Sequence, residues 1–115
     1  MARRDSVVLL LGLLVATPAA ARAATSIAAI VDDPASYANS QVTVVGTVTG
    51  LSAGYGGESI YTLEGDMRRI TVVSHQPPPA AGASLRVDAK VGYRVPDEEF
   101  TWPPLLLESA RTSAP

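Results

Sequence analysis

The chain has 115 residues, with 9 basic and 11 acidic side chains, one histidine and no cysteine. This length is that of one small domain, which excludes an enzyme with a cleft between two lobes. Hydrophobic residues make up 47% and charged residues 17% of the chain, which is typical of a globular protein, and without cysteine no disulfide supports the fold.

The first 23 residues have the pattern of a secretory signal peptide. Arg3 and Arg4 precede the apolar residues 7–16, a run shorter than the roughly 20 residues of a membrane-spanning helix. Small residues follow, and cleavage after Ala21 and cleavage after Ala23 both fit an A-x-A site. The sequence leaves open whether the general secretory route or the twin-arginine route is used.

Removal of this signal leaves an acidic domain. Residues 1–23 contain three arginines and one aspartate, so the remaining 92 residues hold 6 basic and 10 acidic side chains, a net charge of −4. Such a charge repels a phosphate backbone and disfavours nucleic acid as a partner. We predict a domain over residues 24–111 and a frayed tail over 112–115, in a periplasmic or secreted protein.

The mature chain is predicted to begin with one short helix. Ser26 can cap the first amides, and Ile27, Ile30 and Val31 share one face at helical spacing. The helix ends before Pro34, since the residue preceding a proline disfavours helical geometry, and residues 34–37 can add a further turn.

Five short strands follow. Apolar and polar residues alternate over 41–51, 59–64, 68–74 and 84–93, and the leucine run over 105–108 is predicted to form a short fifth strand. Gly46 in the first strand predicts a bulge or sharp bend. In the fourth strand Asp88 is expected to face water. The predicted core consists of Val44, Val48, Ile70, Val72, Leu85, Val87 and Leu107.

Five strands with a bent first strand indicate a closed antiparallel barrel rather than a sandwich of about seven strands. The order of the segments 27–37, 41–48, 61–66, 70–72 and 81–87 resembles the exported bacterial OB-fold proteins, which are similar to tRNA-anticodon-binding-type OB domains. The resemblance implies a mainly β, five-stranded OB-fold-like barrel with one short N-terminal helix and a ligand face on strands two and three. One departure is the proline-rich stretch 76–82, where many OB folds place a helix.

No residue pattern organises catalysis or metal binding. His75 has no second histidine or cysteine at ligand spacing, and the acidic residues 97–99 lack the alternation of a calcium loop. No serine lies in a nucleophile motif. We therefore expect no enzymatic activity, metal or cofactor, and we expect Phe100 and Trp102 to close one end of the barrel.

The candidate ligand-binding residues are Tyr55, Tyr61, Arg68, Arg69 and Arg94. The OB resemblance implies that Tyr55 lies in the first hairpin loop and that Tyr61 and Arg69 lie on the outer face of strands two and three, where rings and cations can stack single-stranded bases. The alternative is that Tyr61 packs inside the barrel and the arginines are merely solvated.

Two functional hypotheses follow from these residues. The first is an exported, non-catalytic binding module that docks a protein, a peptide or a small ligand on the barrel face. The second is a single-stranded nucleic-acid-binding OB-fold protein, which rests mainly on fold analogy.

Overall fold

The computed structural model describes residues 23–53, 56–94 and 103–114. They form α1 (Ile27–Asp32), α2 (Pro34–Tyr37), β1 (Gln41–Ala53), β2 (Ser59–Gly65), β3 (Arg68–Ser74), β4 (Ser84–Gly92) and β5 (Leu105–Ser113). Neither helix in these ranges has the length and apolar character needed to cross a membrane. Residues 1–22 of the predicted signal peptide, together with Tyr55, residues 97–99, Phe100 and Trp102, lie outside the described residues.

The strands form a closed barrel in the order β1-β2-β3-β5-β4, which confirms the predicted mainly β, five-stranded OB-like fold. The long strand β1 is shared, since its first half pairs with β4 and its second half pairs with β2. Strands β3 and β5 are parallel over three residue pairs. The prediction of an entirely antiparallel barrel is therefore wrong, because an odd number of strands cannot alternate in direction all the way around a closed ring.

Helix α1 closes the end of the barrel at which β2 finishes. The Ser26 side chain accepts a hydrogen bond from the Ala29 amide at 3.3 Å, and Ile27 and Ile30 are completely buried. The predicted cap, the apolar face and the boundary at Pro34 are all confirmed. The extra turn is present as α2, so the barrel carries two short helices instead of one.

Gly46 serves close packing rather than a bulge. A Cβ atom at this position would lie 2.7 Å from the carbonyl oxygen of Glu64 and 2.8 Å from the Leu63 side chain. The register of β1 against β2 shifts instead between Val48 and Gly50. Of the two features predicted at Gly46, a bulge or a sharp bend, the bulge is therefore wrong in position, and the glycine allows the backbones of β1 and β2 to approach beneath α1.

Most of the predicted core is confirmed, and the error lies in β5. Leu107 is 44% exposed, whereas the side chain of Leu106 is completely buried. Three consecutive leucines show no alternation, so the sequence does not define the inward face of this strand, and the choice of Leu107 is wrong. Strand β5 also continues to Ser113, so its last residues pair with β4 where a frayed tail was expected.

Asp88 was expected to face water, but its side chain is buried on the outer side of β4. Its carboxylate accepts a hydrogen bond from the Thr43 hydroxyl on the neighbouring strand. The register of β4 against β5 shifts next to this residue, and Ser109 donates a hydrogen bond to the Asp88 carbonyl at 3.1 Å. Neighbouring strands therefore cover a position that alternation alone assigns to solvent.

Candidate ligand face

The outer surfaces of β2, β3 and β5 form one continuous face, because strand register aligns their outward side chains in rows. Ile60 pairs with Val73, and Val73 pairs with Leu107. In the next row, Thr62 pairs with Thr71. This face therefore has an aliphatic row beside a row of hydroxyl groups.

A pocket of about 290 Å³ opens on this face at the side nearer to α1. It combines one guanidinium group and two hydroxyl groups with an apolar wall that includes two prolines. The lining residues are Val31, Thr62, Arg69, Ile70, Thr71, Pro103 and Pro104. Such a lining can hold a flat or aliphatic group against the wall and an anionic group at the guanidinium.

The two arginines predicted for this face are both present at its edge, and both contact a carboxylate. The Arg69 Nε atom lies 3.4 Å from Glu64 Oε2, and the Arg68 Nε atom lies 3.0 Å from Asp32 Oδ1. The Arg69 side chain is 71% exposed, so its ion pair is weak and a ligand anion can compete for it.

Tyr61 does not lie on the outer face, and that prediction is wrong. Its ring points into the barrel and is 1% exposed, as in the alternative considered from the sequence. The Tyr61 hydroxyl donates a 2.6 Å hydrogen bond to Glu108, and Ser74 donates to the other oxygen of the same carboxylate at 2.7 Å. Burial, followed by the hydrogen bond to Glu108, raises the pKa of Tyr61 well above its ordinary value.

Arg111 completes this internal network. Its Nη1 atom lies 3.4 Å from Glu108, its guanidinium lies 5.9 Å from the centre of the Tyr61 ring, and it donates to the carbonyl of Pro77. The proline-rich link between β3 and β4 is thereby tied to the barrel. The sequence pointed to neither Glu108 nor Arg111, because a charged residue in a short strand normally indicates solvent exposure.

The two remaining candidates are Arg94 and Tyr55. Arg94 is exposed and follows the end of β4, and Tyr55 lies outside the described residues. Among the residues that the structure describes, no three histidine, cysteine, aspartate or glutamate side chains cluster in a way that could hold a metal ion.

The barrel topology and this face define an OB fold, and solved structures agree. No model of a known protein family and no curated protein matches the chain. An aspartyl tRNA synthetase from Entamoeba histolytica is similar over 86% of this chain, with a TM-score of 0.62 and 14% identity. A replication protein A heterotrimer bound to ssDNA is similar over 64% of it, with a TM-score of 0.52 and 16% identity.

A third similar structure is the OBody AM3L09 bound to hen egg-white lysozyme, which matches over 66% of this chain with a TM-score of 0.50 and 16% identity. The present chain covers 24% of the synthetase chain, 57% of the replication protein A chain and 82% of the OBody. It therefore spans less than two thirds of the first two proteins, and at these identities the likeness establishes the fold alone.

Proposed function

We propose that the protein is a non-catalytic OB-fold binding module that holds a short stretch of single-stranded nucleic acid on the outer face of β2 and β3. The observation that carries the proposal is the pocket in which Arg69 stands beside the hydroxyls of Thr62 and Thr71 and an apolar wall. A base fits the wall, and a phosphate fits the guanidinium and hydroxyl groups. The similarity to a replication protein A heterotrimer bound to ssDNA supports this choice of ligand over the protein or peptide favoured by the sequence alone.

Charge limits the strength of this interaction. The 92 residues after the predicted signal peptide carry a net charge of −4, and both arginines at the pocket edge already contact carboxylates. Two phosphate contacts correspond to a log-log salt slope of about −1.4 for a single strand. We therefore expect binding that is detectable at low salt and much weaker near physiological salt.

The test is fluorescence anisotropy with labelled single-stranded DNA and RNA 12-mers at two salt concentrations. Arg69→Ala should weaken binding, whereas Glu64→Gln should strengthen it, because the arginine then loses its competing carboxylate. Asp33→Asn is the matched control for Glu64→Gln, since it also removes one negative charge but does not contact Arg69. Absence of binding at low salt, or equal affinities for the Glu64 and Asp33 variants, would contradict the proposal.

A second candidate is a protein or peptide ligand on the same face. The row of Ile60, Val73 and Leu107 favours it, because aliphatic rows dock apolar side chains, and a similar barrel is seen bound to lysozyme. This candidate predicts that oligonucleotides do not bind and that a peptide panel, screened by NMR shift mapping, perturbs the amides of this row.

We also propose that the protein is exported, on the strength of the apolar run and the A-x-A sites that end at Ala21 and Ala23. N-terminal sequencing of protein from its natural host should find Arg22 or Ala24 as the first residue. Retention of Met1 would contradict export.

A further inference from the structure

The aliphatic row on the ligand face does not stop at β5. Leu107 pairs with Lys90 of β4, so the outward row runs from Ile60 through Val73 and Leu107 to a lysine. Three steps between strands lead from Ile60 to Lys90, a path of about 14 Å along the curved outer surface of the closed barrel at the usual strand spacing. The row is therefore an apolar floor that begins beside the pocket and ends at a cation on the next face of the barrel.

The cations of the protein differ in what they contact. Arg68, Arg69 and Arg111 each form an ion pair. In the described part of the chain, neither Lys90 nor Arg86 forms an ion pair, and both project from the outer side of β4. They flank Asp88, whose carboxylate accepts a hydrogen bond from Thr43 and forms no ion pair with either, so an anion can bind these two side chains without displacing a carboxylate.

Leu107 provides the second observation. It is one of the few large apolar side chains that the described structure leaves substantially exposed, and it is adjacent to Lys90 across β4 and β5. Leu107 therefore lies between half-buried aliphatic residues and Lys90, which forms no ion pair. This arrangement suits a ligand that is apolar along its length and anionic at intervals. Single-stranded nucleic acid has this chemistry, because its bases present flat apolar faces and its backbone carries phosphates.

We propose that the bound strand continues from the β2–β3 pocket across β5, with its bases over Val73 and Leu107 and a phosphate at Lys90. This inference rests on the proposed function and extends it, since it assigns a path and two binding residues outside the pocket. Lysine suits the end of this path, because its flexible stem and compact charge can follow a mobile phosphate. Arg86 lies four residues away along β4, beside Val45 and Thr112, so it is outside the row.

The experiment compares two matched pairs of variants in the same anisotropy assay. Lys90→Ala should weaken binding about fivefold at low salt and reduce the salt slope by about 0.7, whereas Arg86→Ala, with the same loss of charge, should change affinity by less than about twofold. Leu107→Thr should weaken binding about threefold, whereas Met67→Asn should have no effect, because this side chain is 90% exposed on the β2–β3 turn and asparagine tolerates its positive φ. Lys90→Arg should restore binding.

The outcomes separate this inference from the proposed function. Wild-type binding that Arg69→Ala weakens, but that Lys90→Ala and Arg86→Ala affect equally, would overturn the path over β5 and leave the pocket intact. Wild-type protein that binds an acidic peptide but no oligonucleotide would overturn both. Because Lys90 is exposed, its variants should fold, which circular dichroism verifies, so the result does not depend on the Leu107 variant.

Discussion

The two ends of the barrel are closed by opposite chemistry. At the end where β2 finishes, Ile27 and Ile30 of α1 are completely buried, and the Ile27 side chain lies over Gly46. At the end where β2 begins, the carboxylate of Glu108 accepts hydrogen bonds from the hydroxyls of Tyr61 and Ser74 and forms an ion pair with Arg111. The contrast shows that a small barrel can exclude water either with a helix or with a fully hydrogen-bonded polar network.

The polar end lies beside the link between β3 and β4, the position at which many OB folds have a helix. The link that replaces the helix is proline-rich, and polar contacts hold it in place. Arg111 donates to the Pro77 carbonyl, and Ser59 donates to the Gln76 carbonyl at 2.8 Å. Proline has no backbone N–H donor, so this segment offers mainly carbonyl acceptors, and side chains of the barrel supply the donors that hold it.

The largest expected effect is loss of the polar closure. Glu108→Ala should lower the free energy of unfolding by about 3–5 kcal/mol, because Arg111, Tyr61 and Ser74 then lose a common buried partner. Urea denaturation measures this loss. The double variant Glu108→Leu, Arg111→Met should be more stable than Glu108→Ala, since it leaves no unpaired buried charge. A loss below about 1 kcal/mol for Glu108→Ala would show that the network does not close this end.

Weakening the apolar closure should lower the free energy of unfolding by somewhat less. Ile30→Ala removes a fully buried side chain and should lower the free energy of unfolding by about 2–4 kcal/mol. Val31→Ala is the control in the same helix, and it should cost clearly less because Val31 is only partly buried. Equal losses in thermal or urea denaturation would contradict the proposed packing of α1.

A third substitution tests the close packing of the backbone at the apolar end. Gly46→Ala would place a methyl group against the Glu64 carbonyl and Leu63, and it should destabilise the fold by about 1–3 kcal/mol. Gly50→Ala in the same strand is the control, because its nearest neighbour, Thr62 Oγ1, would lie at an ordinary 3.5 Å. If both variants have the same melting temperature, close packing at Gly46 is not required.

The smallest effect concerns pH and belongs to the polar end. Burial and the hydrogen bond to Glu108 raise the pKa of Tyr61 above its ordinary value of 10.0, so the folded state disfavours the phenolate. The contribution of the protonated Tyr61 hydroxyl to the free energy of unfolding is fully present below about pH 10. It decreases as the pH rises towards the folded-state pKa, by at most about 1.4 kcal/mol per pH unit. Urea denaturation between pH 8 and 11 should show a steeper decline for wild type than for Tyr61→Phe. Parallel declines would exclude Tyr61 as the titrating group.

Part of the candidate ligand face could be predicted from the sequence. Alternation in β3 places Arg69 and Thr71 outward, and the structure agrees, because Ile70 and Val72 on the other side of the strand are buried. Tyr61 could not be assigned, since a tyrosine suits both an exposed stacking surface and an interior with a partner for its hydroxyl. That partner is Glu108, which is 47 residues away in the chain.

The sequence by itself determined the elements whose signals are local: the capped helix with Ile27 and Ile30, the strand alternation, the number of strands, and hence an OB-like barrel. Only the tertiary structure decided that β3 and β5 pair in parallel and that Asp88 is buried. It also decided that the Glu108 side chain points into the barrel and the Leu107 side chain points outward. The physical reason is that these features depend on which strands become neighbours when the barrel closes. A charged side chain can be buried only where a distant strand supplies its partner, and a leucine remains exposed where the adjacent residue has already filled the core.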